Sequence, residues 1–228
     1  MTARQLTFDL PAKTALGRED FFVSTANNLA VAMLETWPDW PAQKLVLVGP
    51  KGSGKTHLSG IWASETGAVA IAATALAGAD IPAFANAPVL VEDIDAIAGD
   101  LAAETTLFHL HNLLTANATA LLMTSATHPV RLPFGLADLA SRLQGTAITE
   151  IGPPDDALLA AMLVKLFADR QIAVAPAVVR YLVARMERSF AAAQTLVERL
   201  DNAALAEGRA ITLPLVARTL DKSGSAGA

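Results

Sequence analysis

The chain has 228 residues, 53% of them hydrophobic and 17% charged, enough apolar material for one sizeable core with a small appended unit. It contains no cysteine, which excludes disulfides, thiolate metal sites and cysteine nucleophiles and agrees with a reducing compartment. The net charge of −5 argues against a broad nucleic-acid surface, no apolar run reaches the ~20 residues that span a bilayer, and no signal-peptide core follows Met1. A cytoplasmic location without membrane contact is expected.

Residues 1–18 read as a tail. Within it Gln5-Leu6-Thr7-Phe8-Asp9-Leu10 alternates polar and apolar residues and stops at Pro11. Two readings fit equally: a short edge strand, or an extended peptide whose Leu6, Phe8 and Leu10 enter pockets on a partner. Residues 21–34 have helical periodicity with Asn27 and Asn28 on a polar side, and Trp37-Pro38-Asp39-Trp40-Pro41 predicts a rigid turn whose tryptophans cap the core in preference to touching a base.

The apolar run Leu45-Val46-Leu47-Val48 then leads into Gly49-Pro50-Lys51-Gly52-Ser53-Gly54-Lys55-Thr56, with a helix predicted from His57. Glycines at these positions let the backbone curl until successive N–H groups surround phosphate oxygens, and the helix adds its positive end. Lys55 is placed to reach the β- and γ-phosphates, and Thr56 to offer a hydroxyl to magnesium. Gly49 through His57 is therefore the expected nucleotide-binding set, with His57 packing or hydrogen-bonding in the loop's own helix. A plain glycine-rich turn is the weaker alternative, because strand, full motif and helix occur in order.

The helix ends at Gly67, and residues 68–72 read as a short buried strand. Next, Val89-Leu90-Val91 runs into Glu92-Asp93-Ile94-Asp95, acids at the strand end where ligands bind in α/β sheets. Glu92 is the candidate for the magnesium water shell and Asp93 for orienting an attacking water. Residues 101–116 form a helix in which His109 and His111 point to different faces and make a poor ligand pair. Residues 120–125 form a strand ending in hydroxyls beside the expected γ-phosphate. A short helix over 134–143 precedes a strand over 147–151; its Arg142 is either a cation at a subunit edge or a surface arginine paired with Asp138.

The fold class is thus α/β, a three-layer phosphate-loop domain with a parallel five-stranded sheet. After Gly152-Pro153-Pro154 the pattern becomes helical, over 156–170, 176–188 and 190–207 with a last short helix past Pro214, which predicts a small all-α lid. The expected division is a tail over 1–18, the α/β domain over 19–152, the lid over 153–222 and a flexible tail over 223–228.

Gly54-Lys55-Thr56-His57-Leu58, Val89-Leu90-Val91-Glu92-Asp93-Ile94-Asp95 and Ser141-Arg142-Leu143 together resemble the Hda/DnaA-related AAA+ family over about residues 15–220. The resemblance implies an AAA+ domain and lid binding ATP or ADP with Mg2+. It also implies a stand-alone core, with no helix-turn-helix segment after the lid and no oligomerisation domain before the core. The tail hexapeptide is similar to glutamine-leucine motifs that dock on the sliding clamp, which favours the peptide reading and makes Gln5, Leu6, Phe8 and Leu10 the contact residues. Implied partners are DnaA and the beta subunit of DNA polymerase III. A homo-oligomer is left open, and direct sequence-specific DNA binding is not expected.

Arg142 matches the family's arginine finger, acting in trans on ATP held by DnaA, an effect worth roughly 10³ to 10⁵ in rate in comparable GTPases. Lys55 and Asp93 complete the catalytic set. Three departures stand out: Glu92 is one methylene longer than the family's acid, Ala126 replaces a phosphate-sensing acid, and Ala192 replaces a lid arginine, with Arg188 one turn away. Weak intrinsic hydrolysis is expected. The implied function is regulation of replication initiation; an autonomous loader or remodelling ATPase and a non-catalytic adaptor are the alternatives.

Overall fold

The computed structural model describes residues 22–224. The peptide bearing Gln5, Leu6, Phe8 and Leu10 lies outside the described residues. At the centre is β1 (Lys44–Val48), every residue of which is buried. It pairs in parallel with β4 (Leu121–Ser125) on one side and β5 (Ala147–Glu150) on the other. β3 (Val89–Glu92) and β2 (Val69–Ala72) extend the sheet past β4, giving the order β2-β3-β4-β1-β5. Unbroken apolar runs such as Leu45–Val48 suit strands covered on both faces.

One face packs with α3 (Leu101–Ala116) and α4 (Ala137–Gln144) through Leu107, Leu110, Leu139 and Leu143. The other meets α1 (Asn28–Glu35) and α2 (Lys55–Thr66) through Ala30, Leu34, Leu58 and Trp62. Trp40 stacks on Trp62 with ring centroids 5.5 Å apart, and its indole N–H donates to Met33 O at 2.6 Å. Trp40 is thus a core residue, as its turn suggested.

Two expectations for this part need correction. β2 is an edge strand and is largely exposed, with Val69 at 42%. A run of small apolar residues has the same pattern in a central strand as at an edge, so periodicity did not distinguish them. The first helix begins at Asn28, because the buried Asn27 side chain accepts from Ser24 N–H and donates to Phe22 O, holding 22–27 in a turn.

Beyond β5 all described elements are helices: α5 (Asp156–Asp169), α6 (Pro176–Val183), α7 (Phe190–Glu207) and α8 (Leu213–Gly224). They enclose their own core, including Leu159, Leu163, Phe167, Leu182, Val197, Leu200 and Val216. Asp155 caps α5 through Leu158 N–H and also accepts from the Thr25 hydroxyl at 2.7 Å, tying the helical unit to the turn before α1. α6 is shorter than its periodicity suggested, and α8, at 12 residues, is no short terminal turn. Among the described residues no helix is long and apolar enough to cross a membrane.

Candidate functional site

The chain leaves β1 through Gly49 and turns back into α2 by way of two left-handed glycines, Gly52 at φ 78° and Gly54 at φ 93°. Only glycine adopts both without strain. No side chain caps α2, whereas Asp100, Asp155 and Ser189 cap α3, α5 and α7. Its first-turn amides therefore face the loop, the arrangement that favours an anion. At Gly49 a Cβ would lie 2.7 Å from Ser53 Oγ, so the loop closes tightly there. Ser53 Oγ itself is buried with no hydrogen-bond partner among the described residues. An unsatisfied buried hydroxyl just before the uncapped start of α2 fits a loop that binds an anion.

Lys55 is 7% exposed and folds over this ring, donating to Gly49 O at 2.8 Å and Pro50 O at 3.2 Å. Burial lowers its pKa, while Asp93 and Asp95 act against that. Pro50, Lys51 and Thr56 are exposed along the loop, and His57 is half-buried beside it. A cavity of about 510 Å³ opens between Gly52, Ser53, Gly54 and His57 and the helical unit's Met162 and Phe190. Its size suits a nucleotide-scale ligand, within the ~300–1,000 Å³ usual for such sites. A second cavity, about 290 Å³, lies on the other flank of Gly49 and Pro50 and is lined by Ala126, His128, Arg131 and Glu150.

At the end of β3, Glu92 is half-buried; burial, then Asp93, raises its pKa. Asp93 is exposed at φ 57°, a left-handed conformation that Asp tolerates, and its N–H donates to the Thr124 hydroxyl at 2.9 Å. Asp95 Oδ1 accepts from Ala126 N–H at 2.8 Å and lies 3.2 Å from the Ser125 hydroxyl, which is 2.6 Å from Thr127 O. The hydroxyls ending β4 thus staple β3 to β4. Among the described residues no three His, Cys, Asp or Glu side chains cluster to hold a metal. Thr56 at the start of α2 and Glu92 at the end of β3 each offer an oxygen donor.

Arg142 stands apart from this constellation. Buried Leu139 and Leu143 anchor α4 and leave Arg142 on the exposed side, and no ion pair joins it to Asp138 among the described residues. α4 leads into β5, whose Ala147 pairs with Leu45 at the start of β1. The phosphate loop follows the other end of that five-residue strand, about 13 Å away along a parallel strand. Lys55, Asp93 and the loop glycines are brought together; Arg142 is not among them.

The start of α7 offers no arginine to the loop. Ala192 N–H donates to the capping Ser189, and Arg188 pairs with Asp156 at 2.8 Å on the exposed side. Sequence reasoning missed Asp95 as a binding group, although it stood in the acidic run. It also missed Glu104, a fully buried acid that nothing local marks.

The sequence of residues 156–220 matches the Hda lid-domain family. Domain III of the Thermotoga maritima replication initiation protein DnaA superposes with a TM-score of 0.74 at 18% identity, covering 93% of this chain and 98% of that one. A crystal structure of a DNA replication initiation factor gives 0.70 at 21% identity, covering 87% and 67%. AMPPCP-bound DnaA from Aquifex aeolicus gives 0.67 at 18% identity, covering 80% and 64%. Residues 156–220 thus carry a Hda-type lid sequence, and the chain as a whole shares the fold of DnaA domain III.

Proposed function

We propose that this chain binds ATP or ADP with Mg2+ and, docked on the DNA polymerase III sliding clamp, stimulates hydrolysis of ATP held by DnaA. Residues 19–152 form the nucleotide-binding domain in this reading, 153–222 its lid, and the tail peptide with Gln5, Leu6, Phe8 and Leu10 the clamp contact. The protein works in the cytoplasm, where these partners are. Gly49 through His57 hold the phosphates, Lys55 neutralises their charge, and Thr56 and Glu92 take the cation. Bound Mg2+ supplies further charge neutralisation at the phosphates. Asp93 orients water, but the chain's own turnover is weak, because the lid position occupied by Ala192 supplies no cation to the phosphates.

The observation that carries the proposal is the placement of Arg142, exposed near the end of α4, which leads into the start of β5 beside Leu45, at the opposite end of β1 from the phosphate loop. An arginine so placed serves a neighbouring active site, where its guanidinium stabilises charge developing on a γ-phosphate. The Hda-type lid and the DnaA-like fold support DnaA as that neighbour. The test is hydrolysis of DnaA-bound ATP on DNA-loaded clamp with and without this protein. Joint Gln5→Ala and Leu6→Ala is expected to abolish clamp binding; unchanged binding removes the tail from the account. Exposed Asp93 close enough to Lys55 to act on its charge favours, as second reading, an autonomous ATPase. Rapid turnover by the isolated chain would support that instead.

A further inference from the structure

Glu104 is an acid for which the proposed chemistry has no use. It sits on α3, fully buried, yet three backbone amides converge on its carboxylate. Gly99 N–H donates to Oε1 at 2.7 Å, Gly135 N–H to Oε1 at 3.1 Å and Leu136 N–H to Oε2 at 2.7 Å. These are charge-assisted bonds in a dry environment, so they hold their partners firmly.

The two clamped segments have different duties. Gly99 closes the loop that begins with Asp93 and Asp95, and Asp95 both grips Ala126 N–H at the tip of β4 and acts on the charge of Lys55. Gly135 and Leu136 lead directly into α4, where Leu136 is the capping residue and no side chain of the helix's own segment caps it. Glu104, from another helix, fixes how α4 enters the fold. α3 and α4 also share the core through Leu107, Leu139 and Leu143. A continuous path therefore runs from Gly49 in the phosphate loop, whose N–H donates to Ser125 O at 3.1 Å, through Ser125 and Asp95, the 95–99 loop and Glu104 to α4 and Arg142. Close-packed interiors transmit small displacements along such paths, but only a measured coupling establishes one.

We infer that Glu104 is a positioning residue that couples occupancy of the chain's own phosphate loop to the placement of Arg142. The inference rests on the proposed nucleotide site and extends it, making presentation of the arginine to a partner depend on this chain's own nucleotide. Linkage then requires that engagement of Arg142 alter nucleotide affinity by the same factor.

Amide hydrogen exchange on the full chain tests this, with ADP or a non-hydrolysable ATP analogue added and segments 95–100 and 133–144 followed. Glu104→Gln keeps the shape of the side chain but sets an amide donor against at least one of the three N–H groups. Leu136→Pro removes one donor and some packing without changing Glu104, at a φ of −88° that lies just beyond the range proline takes. In the native protein nucleotide is expected to slow exchange in both segments by roughly fivefold or more. In both variants the 95–100 response remains and the 133–144 response disappears, which loss of general stability would not produce.

Nucleotide titrations on the same samples separate the failures. If the native chain binds nucleotide and 95–100 responds while 133–144 does not, the coupling is overturned and the nucleotide site stands. If both variants keep the 133–144 response, the role of Glu104 is overturned. If the native chain binds no nucleotide, the site reading falls and the coupling with it. The native comparison needs no substitution, so a variant that fails to fold leaves the test intact.

Discussion

Acidification should destabilise this protein in part through His111, a buried histidine. Its side chain is buried on α3, 7% exposed, and neither ring nitrogen has a hydrogen-bond partner among the described residues. Burial pushes its pKa from 6.5 down to about 4, with Lys44 and Arg142 adding to the effect. The unfolded chain therefore binds a proton that the folded chain refuses, so stability rises with pH. The full contribution is present above 6.5, is lost as pH falls from 6.5 toward 4, and changes no further below that. The interval 6.5 − 4 = 2.5, taken at 1.36 kcal/mol per pH unit, corresponds to about 3 kcal/mol, of which about 2 kcal/mol is already lost at pH 5.

Other groups titrate over the same range, so the assay is a difference: urea unfolding of the native protein and of His111→Leu at pH 7.5, 6, 5 and 4.5. The substitution removes two unsatisfied polar atoms along with the titration, so the variant is expected to be no less stable than native at pH 7.5 and to lose about 2 kcal/mol less by pH 5. Equal slopes in urea would show that the comparison concerns stability alone. Parallel pH profiles for the two proteins would refute the reasoning.

Lys44 should give a similar signature at the alkaline end. It is 1% exposed, donates to Ala42 O and Thr119 O, and burial lowers its pKa to about 8. The unfolded chain keeps this proton up to 10.5, so stability should rise as pH increases from about 8 toward 10.5, and Lys44→Met should flatten that rise in thermal melts. At the loop, Gly52→Ala forces a side chain into φ 78° and within 3.3 Å of Phe190 Cβ. It should cost about 1 kcal/mol or more and abolish binding of a fluorescent ATP or ADP analogue. Lys55→Met should abolish binding while leaving the melting temperature without nucleotide nearly unchanged; retained tight binding would remove Lys55 from the site.

What the sequence made legible is local. The phosphate loop could be read because its chemistry dictates backbone conformation residue by residue, and Gly52 and Gly54 take the left-handed angles that the motif requires. Arg142 was readable as exposed because Leu139 and Leu143 fix the buried side of α4. The illegible features depend on distant partners. Glu104 looks like an ordinary solvated position on α3 until the chain returns with Gly135 and Leu136, and Asp95 shows its binding role only when β4 lies beside β3. β2 was misjudged because its place at the edge is a matter of strand order, which the run Val69–Ala72 does not encode. The pairing of Arg188, in the turn before α7, with Asp156 at the start of α5 is likewise one that sequence spacing does not suggest.

The account turns on Arg142 acting on a neighbour's nucleotide. The most direct measurement is hydrolysis of DnaA-bound ATP on DNA-loaded clamp by the native protein and by Arg142→Ala, with nucleotide affinity and turnover of the isolated proteins recorded in parallel. The account predicts stimulation by the native protein, loss of roughly 10³-fold or more of that stimulation in the variant, and an unchanged affinity for the variant's own nucleotide. Full stimulation by Arg142→Ala, or none by native protein shown to be on the clamp, would contradict it.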